Sequence, residues 1–137
     1  MWAQSSVLSI APLPKLSAKR NTTVDAKVPV LLQPGYHANS HTPSESYLIP
    51  LRLTWEPGPL EAVDVVYPKP QMEKYEFADK PLSVYTGNFE IVTKFKVGAS
   101  APDGPNLAVG KLRYQACTHN LCLPPKTVEV KLPLVIQ

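Results

Sequence analysis

Thr23-Val24-Asp25-Ala26-Lys27-Val28-Pro29-Val30-Leu31-Leu32 is the stretch on which the fold class turns. Val24, Ala26, Val28, Val30 and Leu32 recur at every second position, with Asp25 and Lys27 between them. Successive side chains of a strand point to opposite faces, so this period means one apolar face and one wet face. Pro29 falls on the outward side, where its missing N–H suits an edge or a bulge. The same period returns at Tyr47, Ile49, Leu51, Leu53 and Trp55, and again at Val128, Val130, Leu132 and Leu134.

Turn chemistry separates further segments. Gln33-Pro34-Gly35 and Glu56-Pro57-Gly58-Pro59 end the first two strands. Residues 36–46 read as a polar loop and residues 63–67 as a short strand stopped by Pro68 and Pro70. Residues 71–80 read as a polar loop holding Tyr75 and Phe77. Residues 82–85 and 89–97 flank Thr86-Gly87-Asn88, which predicts a hairpin. Residues 99–106 form a loop, 107–116 a strand, 118–121 a tight connection and 127–136 a last strand. About seven or eight short strands with turn signals roughly every ten residues predict an antiparallel β-sandwich. Residues 1–22 read as an extended arm with an edge strand near 7–10, and residues 23–137 as one domain.

Composition supports this and narrows the function. Sixteen of the 137 residues are proline, about 12% against a background of roughly 5%. Proline in a helix interior costs about 3 kcal/mol, so an all-helical fold is excluded. A net charge of +3 with no dense run of Lys and Arg argues against nucleic acid as a partner. No apolar stretch reaches the roughly 20 residues of a membrane helix, so the domain itself is not expected to insert. Residues 1–6 lack a basic region followed by an apolar one, so no signal peptide is visible and a leader would have to have been removed. The chain stops directly after its last strand, which suggests a domain cut from a longer protein.

The only cysteines are Cys117 and Cys122, in Tyr114-Gln115-Ala116-Cys117-Thr118-His119-Asn120-Leu121-Cys122-Leu123-Pro124-Pro125. They flank the turn between the last two strands, where cross-strand Cβ atoms are roughly 4.5–5.5 Å apart, close enough for a disulfide. Closing so short a loop removes only about 2 kcal/mol of unfolded-chain entropy, against nearly 5 for a 100-residue loop. Geometry alone therefore leaves two readings standing: a local staple, or a pair placed for exchange. A metal site built from Cys117, His119 and Cys122 with His37 or His41 fits no standard zinc spacing. His119 is more simply a loop residue whose partial charge would favour a thiolate. No C-x-x-C-H haem motif, Ser/His/Asp set, phosphate loop or H-E-x-x-H is present.

Tyr114-Gln115-Ala116-Cys117, a short loop, and Cys122-Leu123-Pro124-Pro125 resemble the signature of the N-terminal domain of the thiol:disulfide interchange protein DsbD family. Gly35-Tyr36-His37 is similar to the family's glycine-aromatic segment, and residues 75–80 followed by Val84-Tyr85 to its cap loop and the strand after it. The likeness runs over roughly residues 24–137. It implies an immunoglobulin-like all-β sandwich in the periplasm, tethered to a membrane domain and needing no cofactor. A thioredoxin-like domain would reduce the pair, which would then reduce oxidised periplasmic proteins. Carried over, Cys122 forms the mixed disulfides, Cys117 resolves them and Phe77 caps the pair. Tyr36, His37, Tyr114 and His119 border the site. Two features depart from the family: the loop between the cysteines is one residue shorter, and Tyr75 stands where an acidic residue is common, leaving Glu76 as the available carboxylate. The competing reading is a non-catalytic immunoglobulin-like binding module with a structural disulfide.

Overall fold

The structure is a computed structural model and describes residues 7–137. The expectation about a leader rests on residues 1–6, which lie outside the described residues. Among the described residues there is no helix, and they form twelve strands in three four-stranded sheets. In chain order these are β1 (Leu8–Ile10), β2 (Leu16–Ala18), β3 (Thr23–Leu32), β4 (His37–Asn39), β5 (Arg52–Trp55) and β6 (Leu60–Val66). There follow β7 (Gln71–Glu73), β8 (Leu82–Thr86), β9 (Phe89–Val97), β10 (Gly104–Tyr114), β11 (Ala116–Cys117) and β12 (Lys126–Ile136). The number exceeds the sequence expectation because several strands have only two or three residues and carry no readable period.

Two sheets, ordered β1-β3-β9-β6 and β2-β12-β10-β5, supply the alternating inward residues of an immunoglobulin-like sandwich. Val28, Val30 and Ile91 from the first join Leu53, Leu112 and Val130 from the second in one buried cluster. A second cluster follows β9 and β12 through Phe95, Val97, Leu132, Leu134 and Ile136. Trp55 ties the layers together: its Nε1 donates to Thr93 Oγ1 at 3.0 Å and its ring meets Phe95 edge-on at 5.0 Å. Pairing is antiparallel throughout except between β2 and β12, which run parallel. The arm supplies one edge strand to each layer, β1 against β3 and β2 against β12.

Four expectations are corrected. Pro29 does not lie on an edge strand, since β3 is interior to its sheet. Its carbonyl accepts from Ala11 N at 3.1 Å. Carbonyl and nitrogen of one strand residue face the same side, so the missing N–H points to the place where β1 stops. The period over 47–55 is a strand only at Arg52–Trp55. Tyr47 is exposed and Leu48 buried, because Ser40 O accepts from Leu51 N and Gln115 Oε1 from Ile49 N, holding this backbone in a loop. Residues 82–86 and 89–97 do not form a hairpin. They lie in different sheets, and Asn88 Oδ1 accepts from Leu32 N at 3.3 Å, leading the chain from one sheet to the other. Residues 71–80 are not all loop, since Gln71–Glu73 pairs with β8.

The third sheet, β11-β4-β8-β7, positions the cysteines. One of its faces, with Ala38, Tyr85 and Ala116, closes the main core. Directly paired residues share a face, so the opposite side carries His37, Cys117 and Thr86.

Candidate functional site

The β10–β12 ladder ends at Tyr114↔Lys126, and the cysteine turn lies beyond this last rung. Cys117 and Cys122 are bonded, with Cα atoms 3.9 Å apart, at an isolated antiparallel bridge. The pair therefore sits at one end of the sandwich and not between its layers. Thr118 N donates to Leu121 O at 2.7 Å and Leu123 N to Ala116 O at 2.8 Å, which closes the turn on both sides of the disulfide. The two sulfurs have unequal surroundings: Cys117 is fully buried, whereas Cys122 is exposed.

A polar clamp holds the root of this turn. Asn39 Nδ2 donates to Gln115 Oε1 at 3.0 Å and to Ile49 O at 3.1 Å, and Gln115 Nε2 donates to Leu123 O at 3.4 Å. Neither residue stood out in the sequence as a positioning group. Gln115 lies inside the cysteine motif, but the partners of its Oε1 are 66 and 76 residues away, where no local pattern reaches.

The loop after β7 folds over the face that carries Cys117. Lys74 Nζ donates to the carbonyls of Tyr75 and Ala78, and Ala78 N to Tyr75 O at 3.1 Å. Tyr75 and Ala78 are buried with Leu48, Leu82 and Val84 in a small cluster of their own. Tyr75 stacks on His37 at 3.8 Å and 13°, and Phe77 lies parallel beside the pair, 5.7 Å from Tyr75 and 6.2 Å from His37. His119, from the cysteine turn, meets Tyr75 edge-on at 5.7 Å. A cleft lined by Tyr36, His37, Tyr75, Thr86 and His119 opens beside this stack.

The structure thus gathers Tyr36, His37, Tyr75, Phe77 and His119 around the pair's end of the fold. Tyr114 is buried in the main core on the side opposite Cys117. Glu76 is exposed, and no hydrogen bond among the described residues ties it to the sulfurs. The aromatic seated deepest in the cap is Tyr75, not Phe77, which keeps 38% of its surface exposed.

Electrostatics mark His37 most strongly. Its ring is 98% buried, and burial followed by the neighbouring His119 lowers its pKa to about 4. The ring is therefore neutral at pH 7. Burial likewise raises Tyr75, with Glu73 adding to the shift. His41 is engaged elsewhere, stacked on Tyr67 and within 2.8 Å of the Tyr85 hydroxyl. No grouping of three His, Cys, Asp or Glu suited to a metal occurs among the described residues, and no helix there is long and apolar enough to cross a membrane.

The chain is similar in fold to the N-terminal periplasmic domain of ScsB from Proteus mirabilis, with a TM-score of 0.58 and 16% identity. That match covers 91% of this chain and 44% of the other, so the chain spans less than half of its neighbour's length. A family 123 glycoside hydrolase from Clostridium perfringens, at 10% identity and a TM-score of 0.40, matches 89% of this chain and 22% of its own and carries no weight here. Comparison with curated protein sequences found no match. The family model for the N-terminal region of the thiol:disulfide interchange protein DsbD matches residues 5–134, spanning the clamp, the cap and both cysteines, and the chain belongs to that family.

Proposed function

We propose that this domain carries electrons between a thioredoxin-like donor and oxidised periplasmic proteins by thiol–disulfide exchange at Cys117 and Cys122. The observation that carries this reading is the asymmetry of the bonded pair, with Cys122 exposed and Cys117 fully buried. Exchange proceeds by attack of a thiolate on a disulfide sulfur through a mixed disulfide. Cys122 is the sulfur a partner reaches. Cys117 is within bonding distance to displace that partner, and too buried to be attacked first.

In the oxidised domain a donor thiolate attacks Cys122 Sγ, the Cys117–Cys122 bond breaks, and Cys117 leaves as a thiolate that takes up a proton. The donor's second thiol then releases the reduced domain. Toward an acceptor the same steps run in reverse. Tyr75 and Phe77 shield the sulfurs between encounters and leave when a partner docks. Among the residues proposed for the site, Tyr36 and His119 line the cleft beside it.

Trapping tests the division of labour. Cys117→Ser should accumulate a mixed disulfide with a thioredoxin-like protein, seen as a reducible adduct on a non-reducing gel. Accumulation with Cys122→Ser instead would reverse the roles. The reduction potential separates this reading from a binding module with a structural bridge: below about −300 mV the bridge is structural, and nearer to thioredoxin-like potentials it exchanges.

A further inference from the structure

His37 stands directly across the strand pair from Cys117, β4 against β11, so the two side chains leave the same face of the sheet. Cβ atoms of such a pair are about 4.5–5.5 Å apart, and an imidazole reaches from there to the neighbouring sulfur. His37 Nε2 is buried and has no hydrogen-bond partner. Buried polar atoms without partners are rare, and each asks for a reason. In the oxidised domain Cys117 Sγ has no proton to offer. Once the pair is reduced, the same sulfur is a buried S–H donor that needs an acceptor.

We propose that His37 Nε2 accepts the hydrogen bond of the Cys117 thiol in the reduced domain and takes its proton when Cys117 closes the disulfide on Cys122. This rests on the exchange reading above. In the step, the Cys117 Sγ–Cys122 Sγ bond forms and the bond from Cys122 Sγ to the partner sulfur breaks. In this step Cys117 is oxidised and the partner sulfur is reduced, while Cys122 stays at the disulfide level. The electron pair of the broken bond leaves on the partner sulfur, and the proton passes from Cys117 through His37 to that departing thiolate. His37 is available as an acceptor because its ring is neutral at pH 7, with a pKa near 4. The same low pKa makes it a weak base, so it holds the proton only while the sulfur–sulfur bond forms and then passes it on. The titratable groups packed against it are Cys117 from β11, Tyr75 from the cap and His119 from the cysteine turn. Thr86, opposite on β8, does not titrate. No carboxylate among the described residues stacks on or bonds to the ring, so none competes for the proton.

The reduced 137-residue chain mixed with 5,5′-dithiobis(2-nitrobenzoate) separates the two stages. The first thionitrobenzoate released reports attack by Cys122, and the second reports closure by Cys117. His37→Phe keeps a ring under Tyr75 and removes the acceptor. It should leave the first phase within about twofold and slow the second at least tenfold, in keeping with the usual worth of a positioned base. The slowed phase should rise about tenfold per pH unit between pH 6 and 8, because the thiol must then ionise unaided, whereas wild type stays flatter. His37→Gln, which restores an acceptor, should recover part of the loss. In the wild type, the ¹⁵N resonance of His37 Nε2 should shift on reduction, a readout that needs no variant. An unchanged second phase with an unchanged pH profile in His37→Phe, or an unmoved resonance, overturns the role of His37. Absence of a second release in the wild type strikes the exchange reading itself.

Discussion

At the scale of single residues the two aromatics of the loop after β7 differ in how they are held. Tyr75 is 8% exposed and stacked face to face on His37, whereas Phe77 is 38% exposed and lies beside both rings, 5.7 Å from Tyr75 and 6.2 Å from His37. Tyr75 covers the face of His37 itself and is anchored in the small cluster beneath, whereas Phe77 flanks both rings from the exposed side. Tyr75→Ala should therefore speed alkylation of the reduced pair by iodoacetamide more than Phe77→Ala does. Neither change should greatly alter the main core, because Tyr75 belongs to a separate small cluster. Rates measured at one pH decide: a larger effect from Phe77→Ala would make the exposed ring the true barrier. Phe77 was singled out only through the resemblance to the family motif, and the deeper burial of Tyr75 was not legible. Its burial depends on His37, far away in sequence and brought beneath it by β4 and β8.

Among the elements, those with a clean two-residue period were legible and those shaped by distant partners were not. β3 and β12 are largely as the alternation of Val, Ala and Leu predicts, because each buries one face across the sandwich. β4, β7 and β11 are two or three residues long and buried or exposed on both sides, so they offer no period to read. The lost hairpin has the same origin: two adjacent strands with a turn between them pair only if they enter the same sheet. Gly110 shows how tightly one element is set by another. It lies opposite Trp55 in the β10–β5 ladder, and a Cβ there would stand 2.9 Å from Trp55 Cε3 and 3.1 Å from Thr54 O. The indole covers the bare backbone while its Nε1 reaches Thr93 in the other layer. Gly110→Ala should push the ring off this position and destabilise the domain by about 1–3 kcal/mol, as overpacking does. Urea unfolding followed by Trp fluorescence would measure it. An alanine variant as stable as wild type would mean that the ring shifts without loss and that the Trp55–Thr93 bond contributes little.

For the whole molecule, buried titratable groups set the pH range over which it is most stable. On the alkaline side Tyr75, Tyr85 and Tyr114 are all raised by burial, Tyr85 to about 12, so unfolded chains lose these protons first and stability falls above about pH 10. On the acid side His37 acts in the opposite sense. Its pKa is about 4 when folded and 6.5 when unfolded, so between these values the unfolded chain binds the extra proton. Stability is therefore intact above pH 6.5 and declines as pH falls toward 4. Solvent in the cleft beside the ring screens part of the effect, which leaves on the order of 1–2 kcal/mol at pH 4. Carboxylates titrate in the same range, so the informative quantity is a difference between chains. The unfolding free energy of His37→Phe minus that of wild type should be constant from pH 7 to 9. It should then rise in favour of the variant by about 1–2 kcal/mol as pH falls to 4. Parallel curves over the whole acid range would mean that His37 is protonated as easily in the folded domain as in the unfolded chain. The neutral, buried acceptor beside Cys117 would then be lost as well.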